Sequence, residues 1–334
     1  MVGLATLLDP LLVRGFSIRN RIVLPPMATG LAGSAGEVTG PLIEHYRARS
    51  RCVGMVIVEH SYVSIEGKAG PHQLGVWSDE LIPGLSRLAT AIREQGAVAV
   101  IQINHAGGKA DPRASGTKPI APSPVAVPGG FETPREMSVG DIERVVGRFA
   151  EAAERAVKAG FDGVEVHGAH GFLLSQFLSP ITNRRRDEFG GSLEGRMRFP
   201  LMVVEEVKRI AGGKLLLYRL GADDMMEGGF TVSEAEILAS KLADLGVDVI
   251  DVSGGLCGSR PPELQSRQGY FIPLAERVRR RVGVPVIGVG GVRDPYFADK
   301  VVREGRVDLV AVGRAQLEDP DWSCKALEIL RVGL

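Results

Sequence analysis

Short aliphatic runs recur along the whole chain and predict β-strands. The clearest runs are rich in Val, Ile and Leu, and they cover residues 21–24, 54–59, 97–104, 162–167, 214–220, 248–253, 285–290 and 308–313. Most of them are continuously apolar rather than alternating, which is typical of strands buried on both faces of a parallel sheet. The pattern therefore predicts eight parallel strands.

Amphipathic patterns between these runs predict helices, the clearest of which cover residues 81–95, 139–159, 233–245 and 272–282. Ser138 precedes the second of them and Asp141 follows three residues later, which is the arrangement of a capping box. A strand followed by a helix eight times over is typical of the TIM barrel, the (β/α)₈ fold of the α/β class. A doubly wound parallel sheet is the alternative that the pattern leaves open.

The spacing of the elements indicates one domain over residues 1–334, with extended loops after strands 3 and 4 at residues 105–137 and 171–193. We expect residues 1–20 to cap the barrel and residues 318–334 to form a C-terminal helix. Long loops in a compact domain are usually functional, and barrel active sites form where the strands end. The two loops are therefore expected to cover the active site.

The charge balance narrows the classes of partner. Forty Lys and Arg residues balance 40 Asp and Glu residues, whereas proteins that bind nucleic acid through its phosphates need a basic excess. No stretch of about 18 apolar residues is present, and the N-terminal sequence lacks the small-residue cleavage site of a signal peptide. We therefore expect no nucleic-acid or membrane partner, and a cytoplasmic protein.

The cysteines and glycines of the sequence give further predictions about disulfides, metal sites and backbone conformation. Cys52, Cys257 and Cys324 are odd in number, lie far apart and show no CxxC spacing, so neither a disulfide nor a zinc or iron–sulfur site is indicated. This agrees with a reducing compartment. The 43 glycines indicate many backbone positions that need a positive φ or a close approach to another group.

Polar residues collect where the predicted strands end, and this position suggests catalysis in a barrel. His60, Gln102, His167, His170 and Arg219 all follow or close a strand. The spacing of His167 and His170 suits a metal site, but two neutral imidazoles can equally donate hydrogen bonds to a substrate carbonyl or anion. A purely structural pair is the third possibility. We expect no metal, because no carboxylate–histidine motif supports one.

The last two predicted strands end in glycine-rich segments that suit a phosphate. Gly290, Gly291 and Gly313 offer backbone N–H groups, and Arg314 adds a cation suited to bidentate contact. These glycines could instead serve only the turns. A complete GxGxxG motif is absent, which excludes a Rossmann site. No predicted strand has a lysine inside it or at its carboxyl end for Schiff-base chemistry, and the nearest is Lys109 in a loop.

Longer motifs are spread over essentially the whole chain: LVRGFSIRNRIV at 12–23, QINHAG at 102–107, HGAHG at 167–171, SQFLSP at 175–180, Asn183, Arg184, DEFGGS at 187–192 and Gly313-Arg314. In these motifs the chain resembles the old yellow enzyme family of FMN-dependent NADH:flavin oxidoreductases and ene-reductases, in its single-domain bacterial form.

The resemblance implies FMN as cofactor and NADPH or NADH as reductant. Its cofactor-binding residues would be Pro26, Met27, Ala28, His60, Gln102, Arg219, Gly254, Gly290, Gly291, Gly313 and Arg314. Among them, Gln102 would contact the pyrimidine edge of the flavin, and Arg219 would stabilise negative charge on the reduced flavin. His167 and His170 would bind the carbonyl oxygen of an α,β-unsaturated substrate, such as an enone or a maleimide.

The chain departs from the family at the position of the usual proton donor. Phe172 stands where a tyrosine usually protonates the α-carbon, and Tyr270 is the substitute that we expect to be catalytic. The alternatives are a flavin dehydrogenase or demethylase, a dienoyl-CoA-reductase-like enzyme, a flavin-binding barrel with non-standard proton donation, and a non-redox barrel that binds a phosphate-bearing ligand. In relatives the terminal helix often reaches a neighbouring subunit, so we expect a homo-oligomer, either a dimer or a tetramer.

Overall fold

A computed structural model describes residues 5–332 and has a closed barrel of parallel strands at its centre. The eight strands are β1 (Ile22–Leu24), β2 (Met55–Tyr62), β3 (Val98–Asn104), β4 (Gly163–Gly168), β5 (Leu215–Gly221), β6 (Val249–Ser253), β7 (Val286–Gly288) and β8 (Leu309–Ala311). Each strand pairs with the next along the chain, and β8 closes the barrel on β1. The predicted barrel and all eight strands are confirmed, and the doubly wound alternative is wrong.

A helix follows each strand and packs outside the barrel. The helices are α1 (Gly40–Ser50), α2 (Ile82–Arg93), α3 (Val139–Lys158), α4 (Leu193–Ala211), α5 (Val232–Asp244), α6 (Ile272–Arg281), α7 (Pro295–Arg303) and α8 (Trp322–Val332). The predicted capping box of α3 is present, with Ser138 and Asp141 each bonded to the other's backbone. Within residues 5–332, no helix combines the length and the apolar character needed to span a bilayer.

The two ends of the chain contribute to the amino-terminal side of the barrel and to its outer layer. A hairpin of Leu11–Val13 and Phe16–Ile18 lies before β1. The terminal helix α8 lies within the predicted range 318–334. Residues 1–4 of the predicted cap and residues 333–334 of the predicted helix lie outside the described residues.

Alternation along each strand divides the apolar residues into two clusters. Outward-facing residues such as Val56, Ile101 and Val166 pack against the helices. Inward-facing residues of the strands and two residues of the hairpin form a second cluster, which we call the amino-end cluster: Val13, Ile18, Val23, Met55, Ile57, Val98, Val100, Leu215, Leu217, Val249, Ile287, Leu309 and Ala311. Val13 and Ile18 come from the hairpin, so the hairpin packs into this end of the barrel.

The two long loops contain more regular structure than their composition predicts. Residues 105–137 include a helical turn at Pro112–Ser115 and two short paired strands, Ile120–Ala121 and Arg135–Glu136. The second loop contains the helix Leu173–Leu178. Gln176 joins the loops, because its Oε1 accepts the N–H of Gly108 at 2.9 Å and its Nε2 donates to Ala106 and Gly171 at 3.0 and 2.8 Å. These contacts between distant segments have no local periodicity that would reveal them.

The prediction of no disulfide is wrong. Cys52, just after α1, is bonded to Cys324 in α8, with 5.1 Å between their Cα atoms. The two residues are 272 positions apart, so only the closed barrel brings them together. Cys257 is a free, partly buried thiol, and burial raises its pKa to about 12.

Candidate active site

A cavity of about 480 Å³ opens where the strands end, within the ~300–1,000 Å³ that ligand pockets usually have. Most predicted site residues line this carboxyl-end cavity: Pro26, Met27, Ala28, His60, His167, His170, Arg219, Tyr270, Gly291, Gly313 and Arg314. Gln102, Gly254 and Gly290 are not among the lining residues. Lining residues outside the prediction include Lys109, Ser253 and Arg260.

His167 presents a neutral imidazole to the cavity. Its ring centre lies 5.1 Å from that of His170, with the two rings nearly perpendicular. Burial, reinforced by the neighbouring His170 and Arg219, holds the pKa of His167 well below its usual range. Since His167 Nδ1 accepts the N–H of Ala169 at 3.3 Å, the hydrogen-bond pattern assigns the ring proton to Nε2.

The backbone of His170 is in the left-handed region, with φ of 58°, which a residue with a side chain rarely adopts. Two backbone contacts hold His170 in this conformation, and one side-chain contact orients its ring. Its N–H donates to the carbonyl of Gly254 at 3.0 Å, and its own carbonyl accepts from Lys109 Nζ at 3.0 Å. Its Nε2 is 2.8 Å from Ser253 Oγ. Gly254 therefore supports His170 through the backbone, and Ser253 orients the imidazole.

His60 and Phe172 complete the wall on the side of the histidine pair. The ring of Phe172 lies 5.2 Å from that of His60 and 5.0 Å from that of His167, centre to centre. His60 Nδ1 is 2.8 Å from Gln73 Nε2, which can only donate, and burial lowers the pKa of His60 to about 4. Within residues 5–332, no group of three or more His, Cys, Asp or Glu side chains is placed to hold a metal.

A buried ionic network lies beneath these rings. Arg219, on β5, is 3.2 Å from Asp251 on β6, and Gln102 Nε2 donates to Glu165 Oε1 at 2.7 Å. Burial raises the pKa of Glu165 well above its usual range, and the charge of Asp251 raises it further. Burial also raises the pKa of Asp251, against the opposing effect of Arg219.

Glu165 and Asp251 are not among the predicted site residues, although the sequence contains a signal for them. Each stands two positions before a residue that lines the cavity, His167 and Ser253 respectively, and so faces the same side of its strand. A carboxylate at an inward position of a buried strand is costly without a partner. The alternation of inward-facing and outward-facing residues along each strand would therefore have identified Glu165 and Asp251 as part of the site.

The opposite end of the cavity suits an anion. Gly290 and Gly291 have φ of 128° and 65°, and a Cβ on Gly291 would lie 2.7 Å from Arg314 Nη2. A side chain at this position would therefore fill the space next to the guanidinium. Gly290 turns its carbonyl to the N–H of Tyr270 at 3.2 Å, so it shapes this end without lining it.

Tyr270 lies at this anion-suited end. Its O–H donates to the carbonyl of Ser259 at 2.9 Å, and a Cβ on Gly291 would lie 3.0 Å from its ring. Burial raises the pKa of Tyr270, against the opposing effect of Arg314.

These features fit FMN. Arg314, which lies beside Gly291, suits a phosphate. Arg219 Nε is buried without a hydrogen-bond partner within residues 5–332, so it is available to a bound group. A family model described as the NADH:flavin oxidoreductase / NADH oxidase family matches residues 6–331. The chain belongs to this family. The predicted resemblance to the old yellow enzyme family, FMN as cofactor and NAD(P)H as reductant are thereby confirmed.

Curated members of the NADH:flavin oxidoreductase family include close relatives of the chain. It is 45% identical to an NADH oxidase of Thermoanaerobacter brockii over 93% of its own length and 49% of that protein's. It is 39% identical to an NADPH dehydrogenase of Geobacillus thermodenitrificans over 98% of its length and 95% of that protein's. The chain thus spans about half of the first relative and nearly all of the second.

Solved structures of family members share the fold. A 2-naphthoyl-CoA reductase complex is 28% identical with a TM-score of 0.90, and the match covers 97% of this chain and 52% of that one. Morphinone reductase is 27% identical with a TM-score of 0.84, and the match covers 98% of this chain and 91% of that one. An old yellow enzyme homologue of Zymomonas mobilis is 26% identical with a TM-score of 0.85, and the match covers 97% of this chain and 93% of that one.

Proposed function

We propose that the protein is an ene-reductase, which passes a hydride from NAD(P)H through FMN to the β-carbon of an α,β-unsaturated carbonyl compound. The observation that carries this proposal is the pair of neutral imidazoles, His167 and His170, that line the carboxyl-end cavity. Bound FMN supplies the two-electron chemistry that links NAD(P)H to the alkene.

The histidine pair would bind the substrate carbonyl oxygen. His167 Nε2–H is a fixed donor, because the N–H of Ala169 occupies the other ring nitrogen. His170 is oriented by Ser253 and by its backbone contacts. As the β-carbon gains a hydride, negative charge develops on the carbonyl oxygen, and donors already in place stabilise that charge without reorganisation.

The cofactor-binding roles follow the two ends of the cavity. Arg314 and the backbone of Gly291 and Gly313 would hold the phosphate, while Arg219 would stabilise negative charge on the reduced ring system. Pro26, Met27, Ala28 and His60 would contact the ring system from the cavity wall. Three predicted cofactor-binding residues do not line the cavity and would contribute indirectly. Gln102 would do so through its side-chain amide, and Gly254 and Gly290 through their backbone carbonyls.

Names of related proteins support an activated alkene as substrate. One relative is an NADH:acrylate oxidoreductase of Vibrio harveyi, 38% identical over 97% of this chain but only 33% of that protein. Morphinone reductase is among the similar structures. Acrylate is an alkene conjugated to a carbonyl group, which is the substrate class that the histidine pair would polarise.

A stepwise anaerobic titration tests the proposal. The purified protein with FMN should show a flavin spectrum that NADPH or NADH bleaches and that 2-cyclohexenone or N-ethylmaleimide then restores, with one alkene reduced per flavin. A protein that binds no FMN, or a reduced flavin that no activated alkene reoxidises, would overturn the proposal. Reoxidation by oxygen alone would leave the protein as an NAD(P)H oxidase.

A further inference from the structure

Lys109 is held at the histidine end of the carboxyl-end cavity. It closes a short helical turn after β3, Gly107–Lys109, and its Nζ donates to the carbonyl of His170 at 3.0 Å. The same Nζ lies 5.1 Å from the centre of the Phe172 ring. Since that ring packs 5.0 Å from His167, the ammonium group, Phe172 and the histidine pair surround one part of the cavity.

No carboxylate in the described part of the chain serves as a counter-ion to the Lys109 ammonium group. Within residues 5–332, no carboxylate lies within the 4.0 Å of Nζ that a salt bridge requires. Burial alone lowers the pKa of Lys109 below its usual 10.5, because a desolvated ammonium is less stable than a solvated one. The charged and titratable groups that share this end are His60, His167, His170 and Arg219, and the charge of Lys109 helps to lower the pKa of all three histidines.

Reduction of an alkene requires a proton as well as a hydride, and few lining groups can deliver one. The ring of Phe172 carries no acidic proton, and arginine does not release its own. The histidines are neutral because burial lowers the pKa of each. Tyr270 packs against Gly291, and its O–H is already donated to the carbonyl of Ser259. The hydroxyl of Ser253 is engaged by His170 Nε2 at 2.8 Å. Lys109 is then the remaining lining group at the histidine end that can release a proton.

We propose that Lys109 is the catalytic proton donor to the α-carbon of the substrate, in place of a hydroxyl group at position 172. This inference rests on the ene-reductase function proposed above. The β-carbon takes a hydride, with two electrons, that originates from NAD(P)H, and the alkene π electrons become an enolate held by His167 and His170. An N–H bond of Lys109 breaks, its proton forms the new C–H bond at the α-carbon, and the enolate returns to a carbonyl. The neutral amine then regains a proton from solvent.

The main experiment compares variants in the reoxidation step, with FMN bound and reduced anaerobically. Lys109→Met removes the acid, and Lys109→Arg keeps the positive charge but not a transferable proton. Both should reduce the rate of reoxidation by 2-cyclohexenone by about 10²-fold or more, which is the usual effect of general acid catalysis. Lys118→Met, an exposed lysine of the same loop, is the matched control and should behave as wild type.

The quantity to be measured is the ratio of the rates at which two electron acceptors reoxidise the reduced flavin. Ferricyanide takes electrons without forming a C–H bond, so the ratio of the cyclohexenone rate to the ferricyanide rate should fall in both Lys109 variants. Adding Phe172→Tyr to Lys109→Met should restore much of the cyclohexenone rate. It adds a phenol hydroxyl to a ring whose centre lies 5.0 Å from that of His167, in the same part of the cavity. A rate for Lys109→Arg equal to wild type would overturn proton donation, since charge alone would then suffice.

Two further outcomes separate this inference from the function on which it rests. If wild-type reduced flavin is not reoxidised by any activated alkene, the ene-reductase proposal fails. If wild type is active and Lys109→Met is equally fast, or if Tyr270→Phe alone abolishes reoxidation, only the Lys109 assignment fails. Amine labelling of the protein without FMN, followed by mass spectrometry, gives an independent readout. Lys109 should react with a pH midpoint below the usual 10.5 of a lysine, and a midpoint at or above that value would contradict its role as the acid.

Discussion

The interior of the barrel is apolar at its amino end and charged at its carboxyl end, although the same strands build both. Along β5, the inward residues are Leu215 and Leu217 in the amino-end cluster and then Arg219 in the cavity. Along β6, Val249 belongs to the cluster, and Asp251 above it pairs with Arg219. One step of two residues along a strand therefore changes the environment from a packed core to a reactive site.

The difference separates the residues that stabilise the fold from those that serve the chemistry. The amino-end cluster gains free energy from burying apolar area and contains side chains of the hairpin as well as of the strands. The carboxyl end instead keeps Glu165, Asp251 and Arg219 buried, which costs free energy unless the charged groups are paired. Variants of the two regions should consequently fail in different ways.

Arg219→Met is expected to produce the largest effect, because it leaves Asp251 and Glu165 buried without a cation. Removing one partner of a buried ion pair typically costs about 3–5 kcal/mol of unfolding free energy. Urea denaturation should show this loss, and fluorescence titration should show weaker FMN binding. Arg281→Met, at an exposed position of α6, is the control. Unchanged stability in Arg219→Met would show that the carboxyl groups are neutral without the arginine.

Leu217→Ala tests the amino-end cluster. The side chain is fully buried, so its truncation should cost about 2–5 kcal/mol of unfolding free energy through lost burial and a residual cavity. The affinity for FMN should stay unchanged where the variant is folded. Leu12→Ala, at a side chain that is 73% exposed, should change stability by no more than about 0.5 kcal/mol. Equal losses in the two variants would contradict the assignment of the cluster as core.

His167→Ala should show the opposite profile to Leu217→Ala. It removes a donor to the substrate carbonyl and should raise the activation free energy of enone reduction by about 2–4 kcal/mol, while FMN remains bound. Stopped-flow reoxidation and the visible flavin spectrum measure the two quantities. His72→Ala, at an exposed position, serves as the control. Loss of FMN from His167→Ala would indicate a structural role for the imidazole instead.

Glu59→Gln should produce the smallest effect, visible in the pH dependence of stability. Glu59 lies within β2, next to the cavity-lining His60, and burial raises its pKa from 4.5 to about 7, against hydrogen bonds from Thr29. Between these pH values the folded protein binds a proton that the unfolded chain releases. The stabilisation is complete below pH 4.5 and is lost as the pH rises through about 7.

Wild type should therefore lose stability relative to Glu59→Gln between pH 5 and pH 8, by on the order of 1–3 kcal/mol. Urea denaturation at several pH values measures the difference. Glu227→Gln, at an exposed loop position, should run parallel to wild type. A constant difference between wild type and Glu59→Gln would show that Glu59 stays ionised in the folded protein.

Local patterns in the sequence were sufficient for the elements of the barrel. Continuous apolar runs indicated the strands, and the Ser138–Asp141 capping box indicated the start of α3, because both depend on neighbouring residues. The strand ends also identified most of the cavity wall, since parallel strands of a barrel all end on one face. His167, His170 and Arg219 could be placed on that face without coordinates.

Contacts between distant segments could be decided only by the tertiary structure. The Cys52–Cys324 disulfide, the Gln176 contacts that join the two loops, and the position of Lys109 beside Phe172 each link residues that no local periodicity relates. Tyr270 and Lys109 both follow strands and both line the cavity, but the fold places one beside Arg314 and the other beside His170. The sequence alone therefore determined the architecture and the face that carries the site, because these follow from the period of the strands and helices. Which groups meet on that face depends on loop conformations that are set by packing and hydrogen bonds across the whole barrel.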